Sequence, residues 1–307
     1  MGPLRGIALK IASVLVLIVM AALIKAASGR VPPGEAVFFR SVFAMPVILG
    51  WLMWQGALSG GLRTSNPLGH FWRGFVGITS MGMYFAALGL LPLPEVTAIG
   101  YAAPLLTVIF AAMFLGEQVR AFRITTVLIG LVGVLIVLSP RLTTVDGGVI
   151  GDREAFGAML VLFGAVFAAL AQVFVRKLVL TEGTAAIVFY FSLSGSLLSL
   201  MTLPFGWVVP TPAEAGLLIL AGLLGGFGQI LLTSSYRHAD ASVVAPFEYV
   251  SILFALAIGY AFFAEVPTTT MLLGAALVVL AGILIIWRER QLGLKRARQR
   301  KAMTPQG

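Results

Sequence analysis

Cysteine is absent from this 307-residue chain, which excludes disulfides and thiolate metal sites. Histidine is almost absent. His70 and His238 stand far apart, and no HExxH or similar ligand spacing occurs, so no metal is expected. Charge is scarce, at 11% Asp, Glu, Lys and Arg, against about 25% in soluble domains. There is no Walker-type phosphate loop and no Gly-rich nucleotide fingerprint. ATP-driven work by this chain alone is therefore disfavoured, and no cofactor is expected.

What the chain has in excess is apolar surface, with 59% hydrophobic residues and a mean hydropathy of +1.02. A water-soluble core cannot absorb that much, so the bilayer is the solvent. The net charge of +9 would suit nucleic acid, but its distribution does not. Seven of the 21 basic residues crowd into the last twenty positions (Arg288, Arg290, Lys295, Arg296, Arg298, Arg300 and Lys301). Such a tail lies against anionic lipid, and no nucleic-acid partner is expected. At the other end, Arg5 and Lys10 precede an apolar run from Ile11 to Ile24. No small-x-small cleavage site follows before Lys25, so the run reads as an uncleaved first helix.

A spanning helix needs about 20 mostly apolar residues. Ten segments qualify: 6–26, 35–56, 71–90, 94–115, 122–139, 155–176, 184–205, 214–235, 242–263 and 269–287. Turn and charge signals separate them, among them Pro32-Pro33-Gly34, Pro92 with Pro94, and the polar loop 140–153. With the N terminus inside, Arg5, Lys10, Arg63, Arg73, Arg120, Arg123, Arg176, Lys177, Arg237 and the tail lie in the cytoplasm. Only Lys25, Arg30, Arg40, Arg141 and Arg153 lie outside. This asymmetry predicts N-in and C-in, which needs an even number of spans.

The chain also repeats itself. A shift of about 148 residues brings Tyr101 onto Tyr249, Phe114 onto Phe262 and Glu117 onto Glu265. Each half has five spans, so the second enters the membrane from the opposite side, as an inverted copy. The expected layout is all-α: a first repeat over 1–140, a joint at 141–154, a second repeat over 155–287 and a basic cytoplasmic tail over 288–307.

Lys25, then Glu35-Ala-Val-Phe-Phe-Arg40 opening span two, resembles the start of drug/metabolite transporters of the EamA type. So do Pro104 followed by Leu115-Gly-Glu117, and His238-Ala-Asp-Ala-Ser-Val-Val-Ala-Pro-Phe-Glu248-Tyr249 leading to Phe263-Ala-Glu265-Val-Pro267. The resemblance covers almost the whole chain. It implies ten helices in inverted five-helix repeats and a central cavity lined by spans 1–4 and 6–9, with spans five and ten peripheral. Similar proteins move amino acids, nucleosides, S-adenosylmethionine, riboflavin, metallophores and drugs. The string Pro246-Phe-Glu-Tyr249 is similar to members labelled as S-adenosylmethionine or riboflavin carriers.

Glu248 is the sharpest candidate residue. A charge at membrane depth costs about 2.5–3.5 kcal/mol on insertion scales. It reads either as a coupling carboxylate that exchanges protons or binds a cationic substrate, or as a structural acid paired with a donor such as Gln229 or an Arg. Arg40 could bind a substrate carboxylate or phosphate, or snorkel to the interface. Its i, i+5 spacing from Glu35 turns the two about 140° apart, so direct pairing is not expected. Lys25 is expected to snorkel. Stripes at i, i+4 spacing avoid lipid: Ser80 and Tyr84, Thr97 and Tyr101, Tyr190 and Ser194, and Gln229 with Thr233 and Tyr236. With Gln172 and Tyr249 they could line a substrate cavity, or bond helix to helix. Glu117 and Glu265 read as structural, each needing a partner because a carboxylate at a helix C terminus opposes the dipole. Pro46, Pro104 and Pro246 could kink their helices. Glycines in spans three and eight could let those helices slide.

The leading function is a secondary transporter moving a small polar organic metabolite by alternating access across a bacterial inner membrane, with Glu248 as the coupling group. The alternative is an integral-membrane enzyme or flippase acting on a lipid or isoprenoid carrier. The enzyme would need clustered His, Asp or Glu at one membrane face, and the sequence offers none. A homodimer is compatible with the sequence, which fixes no oligomeric state.

Overall fold

The computed structural model describes residues 3–115, 121–143, 149–178, 181–238 and 245–303. They form helices, with no strand among them. In chain order the principal ones are α1 (Pro3–Ala27), α2 (Pro33–Trp54), α3 (Pro67–Leu88), the two-part α4a (Leu93–Gly100) and α4b (Ala102–Leu115), α5 (Ala121–Thr143), α6 (Val149–Leu178), α7 (Thr184–Leu200), α8 (Pro212–His238), α9 (Ser251–Phe263) and α10 (Thr269–Met303). Each of the ten predicted spans falls on helix among the described residues. Five stretches are long and apolar enough to cross a membrane: Leu4–Ala27, Pro33–Trp54, Leu93–Phe110, Asp152–Val175 and Pro212–Leu232. Four shorter apolar helices accompany them.

Local chemistry sets the boundaries. Pro33, Pro67 and Pro212 each open a helix, where a missing N–H costs nothing. The Asn66 side chain caps α3 by accepting from the Gly69 N–H at 2.9 Å.

The structure corrects four boundary expectations. Span four is broken at Tyr101, because Pro104 offers no N–H to the Gly100 carbonyl one turn earlier. The Pro104 kink is thus a break. Span nine begins as a 3-10 turn, Ala245–Val250, that carries Glu248. The joint is shorter than the predicted loop, because α5 reaches Thr143 and α6 starts at Val149. The basic tail continues α10 as helix to Met303.

In the packing, α1 lies on α8 and α3 on α6. α2 packs on α7 and α8, and α3 on α7. α4b packs on α6, α4a on α9, and α5 on α10. The α5–α10 crossing depends on glycine. A Cβ on Gly274 would stand 2.7 Å from the Gly133 carbonyl, and one on Gly133 would stand 2.9 Å from the Gly274 carbonyl. The outer faces of both helices are exposed through Leu128, Val132, Leu135, Leu273 and Leu280. The pair therefore flanks the bundle. The glycines of α8 also serve close packing: a Cβ on Gly222 or Gly226 would stand 2.9 Å from the Phe39 or Ala44 carbonyl of α2.

Candidate functional site

The site begins on α1. Lys10 shares a helix face with Val14, Leu17, Ala21 and Ile24, an i, i+4, i+7 stripe turned into the bundle. It is 1% exposed and forms an ion pair with Glu248, whose side chain is 45% exposed. A lysine that sequence reading counts as cytoplasmic is therefore an interior residue. One turn along, the Ser13 hydroxyl donates to the Gly228 carbonyl at 3.0 Å. This brings the half-buried Gln229 turn of α8 beside the pair.

Tyr101 and Tyr249 meet. Their ring centroids are 5.0 Å apart at 68°, and both are buried. The Tyr101 hydroxyl lies 2.5 Å from Ser251 Oγ and 3.3 Å from the Tyr249 carbonyl. A Cβ on the neighbouring Gly100 would meet nothing within 4 Å. Gln172 is exposed although it lies nine residues, about half a turn of the wheel, from the exposed Phe163. Its face of α6 is thus the one turned from the Phe163 face.

The far end of α1 carries a second ion pair. Lys25 does not snorkel. It pairs with Glu265 at 2.9 Å, both 13% exposed, and donates to the Leu88 and Leu91 carbonyls at 3.0 and 2.6 Å. Glu265 also accepts from the Leu93 N–H at 2.9 Å, so its partners are α1 and the start of α4a, with the favourable end of the α4a dipole. Glu117 lies outside the described residues.

Two arginines occupy the middle. Arg40 is 2% exposed, so it does not snorkel either. Its guanidinium carbon lies 5.4 Å from the Phe191 ring centroid, and that of Arg73 lies 3.6 Å from the same ring. Nε and Nη1 of both are buried with no hydrogen-bond partner among the described residues. Arg73 is a second lysine-or-arginine that sequence reading places in the cytoplasm. Its signal was available: it shares a face of α3 with Ser80 and Tyr84, at i+7 and i+11.

The remaining candidates are held by other contacts. Tyr84 packs against Phe85, with ring centroids 6.4 Å apart, and the Thr97 hydroxyl donates to the Leu93 carbonyl at 2.8 Å. Ser80 donates to the Gly164 carbonyl at 2.8 Å. Tyr190 donates to the Leu62 carbonyl at 3.1 Å and lies against His70, with centroids 4.7 Å apart. The side chains of Thr233 and Tyr236 lie outside the described residues.

Two buried acids tie loops to helix ends. Glu35, in the first turn of α2, accepts from the Val208 N–H at 3.1 Å. Glu182, just before α7, accepts from the N–H groups of Ser65 and Asn66 at 2.8 and 3.0 Å and from the Thr64 and Ser65 hydroxyls. His70 Nε2 is 3.5 Å from its other oxygen. Burial favours the neutral acid, but the hydrogen bonds from Ser65 and Thr64 outweigh it and hold the Glu182 carboxyl at about 2.

Ion pairs, arginines and facing tyrosines lie inside an apolar helical bundle, the interior of a multi-pass membrane protein. The chain belongs to the EamA-like transporter family, whose sequence profile matches residues 4–139 and again residues 155–287. It is 32% identical over 279 residues to the pseudopaline exporter CntI of Pseudomonas aeruginosa strain UCBPP-PA14, covering 91% of this chain and 94% of that one. It is 28% identical to the S-adenosylmethionine uptake transporter of Rickettsia bellii, covering 84% of each chain. It is also 28% identical to the riboflavin transporter of Rhizobium johnstonii, covering 84% and 82%. A solved crystal structure shares the fold, with a TM-score of 0.67 at 21% identity over 94% of this chain and 98% of that chain.

Proposed function

We propose that this protein is a secondary carrier that moves a small polar organic metabolite across a bacterial inner membrane by alternating access. The observation that carries this reading is the pair Lys10–Glu248, joining a buried cation to a half-exposed acid. Lys10 and Lys25 stand fifteen residues apart on α1, about 22 Å at 1.5 Å per residue. Their acids, Glu248 and Glu265, bracket α9. The two pairs clasp α1 to span nine at both ends. Opening the cytoplasmic end requires the Lys10 clasp to part while the Lys25 clasp holds, and the reverse opens the outside. A proton on Glu248, or a cationic group of the substrate, weakens the inner clasp. That is the coupling step.

The switching scaffold is a pair of inverted repeats, residues 1–140 and 155–287, with both termini in the cytoplasm. Three observations support it. Tyr101 and Tyr249, equivalent under the repeat, touch each other. Glu35 at the start of span two holds a backbone N–H of the 7–8 loop, and Glu182 before span seven holds those of the 2–3 loop. The packing α1 on α8 is matched by α6 on α3, and α2 on α8 by α7 on α3. Orientation rests on the sequence distribution of the remaining basic residues. Removing the interior Lys10, Arg73, Lys25 and Arg40 from the count leaves the same bias. Within this scaffold Gln172, Gln229, Tyr101, Tyr249 and Glu248 face the substrate path. Tyr84 and Tyr190 border it, and the tail over 288–307 meets anionic lipid.

The test is uptake in proteoliposomes of S-adenosylmethionine, riboflavin, amino acids and nucleosides. At least one should accumulate in a pH-dependent way, and Glu248→Gln should abolish uptake or uncouple it from pH. Wild-type uptake by the variant at every pH would remove Glu248 from the mechanism.

A further inference from the structure

Among the described residues, the interior cations Lys10 and Lys25 are answered by acids, and Arg40 and Arg73 are not. Lys10 has Glu248 and Lys25 has Glu265. No carboxylate among the described residues pairs with Arg40 or Arg73. An unpaired charge out of water is among the costliest arrangements in a protein, and more so at membrane depth. Two such charges placed together repel. Their guanidinium carbons share one ring, at 5.4 and 3.6 Å from its centroid, and so stand no more than about 9.0 Å apart. Arg40 lies seven residues into α2, and Arg73 six residues into α3 from the opposite side. At 1.5 Å per residue Arg40 stands about 10.5 Å along α2 from its start and Arg73 about 9 Å along α3 from its own.

The ring accounts for part of this. Phe191 offers its π face, which a guanidinium covers with its own face. Stacking leaves the in-plane N–H groups free, and those are the groups that lack acceptors here, Nε and Nη1 of both arginines. An oxyanion binds a guanidinium in that plane. Small residues keep the place close: a Cβ on Gly225 would stand 3.0 Å from Arg40 Nε, and one on Gly77 would stand 3.1 Å from Arg73 Nη1. The elements that meet here, α2, α3, α7 and α8, come from both halves of the chain.

We infer that Arg40 and Arg73, set by Phe191, form the binding site for an oxyanion of the transported substrate, so that the cargo carries a carboxylate or phosphate. This rests on the carrier reading above and names its substrate class. Glu248 and its clasp lie nearer the cytoplasmic end and are left to answer a proton or a cationic group. The cargo itself supplies the charge that the arginines lack.

The test uses full-length protein purified in detergent. It is heated with acetate, citrate or inorganic phosphate, each against sodium chloride at matched ionic strength. A saturable rise in Tm is expected with at least one oxyanion and not with chloride. Response to acetate or citrate alone assigns a carboxylate-bearing cargo, and response to phosphate alone a phosphorylated one. Arg40→Gln and Arg73→Gln should each raise the half-effective concentration at least about 10-fold, the effect of one charge-assisted hydrogen bond. In chloride both should melt at or above the wild-type temperature, because each removes an unpaired buried charge. A variant too unstable to purify is replaced by the Lys variant, which keeps the charge but loses the planar fork, and the same 10-fold criterion applies. No saturable response in the wild type, or a response that survives in both variants, overturns the site. Uptake of the neutral solute riboflavin without an anion response would sink the site and leave the carrier standing. Anion binding without uptake of any solute would do the reverse.

Discussion

Breaking the Lys10–Glu248 pair from its two sides should cost unequal amounts. Lys10 is 1% exposed and the Glu248 side chain 45%. Lys10→Met strands a carboxylate that water can reach, so the loss is that of one partly exposed charge-assisted contact, about 0.5–1.5 kcal/mol. Glu248→Gln takes the carboxylate from a buried ammonium. Removing one partner of a buried pair costs about 3–5 kcal/mol, and the retained amide oxygen reduces this to about 2–4 kcal/mol. The double variant removes both charges and should fall within about 1 kcal/mol of Lys10→Met alone. The assay is reversible unfolding in mixed micelles, with an SDS titration extrapolated linearly for the four proteins of the cycle. Equal costs for the two single variants would refute the burial asymmetry, and an additive double variant would refute the pair.

Glycine positions give opposite signs at two sites. Gly274→Ala should destabilise, because its Cβ meets the Gly133 carbonyl at 2.7 Å, whereas Gly82→Ala meets nothing within 4 Å and should gain about 0.5–1 kcal/mol in thermal unfolding. Glu182 sets an acid limit. Its folded pKa of about 2 lies below the unfolded value of about 4.3, so its contribution is complete above that value and is lost as the pH falls from there towards 2. Glu182→Gln should flatten the stability profile over that window, and an unchanged profile would remove the loop tie. A reporter fused after Gly307 should read as cytoplasmic, and a periplasmic signal would overturn the ten-span orientation.

Much of the fold is legible in the sequence because each span must satisfy the bilayer on its own. Apolar length, turn signals and the basic bias are local or additive properties. The Tyr101–Tyr249 contact could be anticipated as an equivalence but not as a touch. The clasps were not legible, because Lys10 and Glu248 are 238 residues apart and no local pattern links them. Lys10 looked like a topogenic charge before an apolar run, although its place on the stripe with Val14, Leu17 and Ala21 marked it as interior. Lys25 misled in the same way, since an interfacial lysine and a clasped one have the same neighbours in sequence. The break at Tyr101 was carried by Pro104, read as a kink because a helix interrupted at membrane depth is tolerated only inside a bundle.

The absence of cysteine from the chain makes alternating access directly measurable. Gly100→Cys places one thiol in open space beside the paired tyrosines. An impermeant maleimide is then applied to right-side-out and inside-out vesicles separately. An alternating carrier predicts labelling from each side, at rates shifted in opposite directions when Glu248→Gln loosens the inner clasp. Labelling from one side only, or equal rates that Glu248→Gln leaves unchanged, would contradict it.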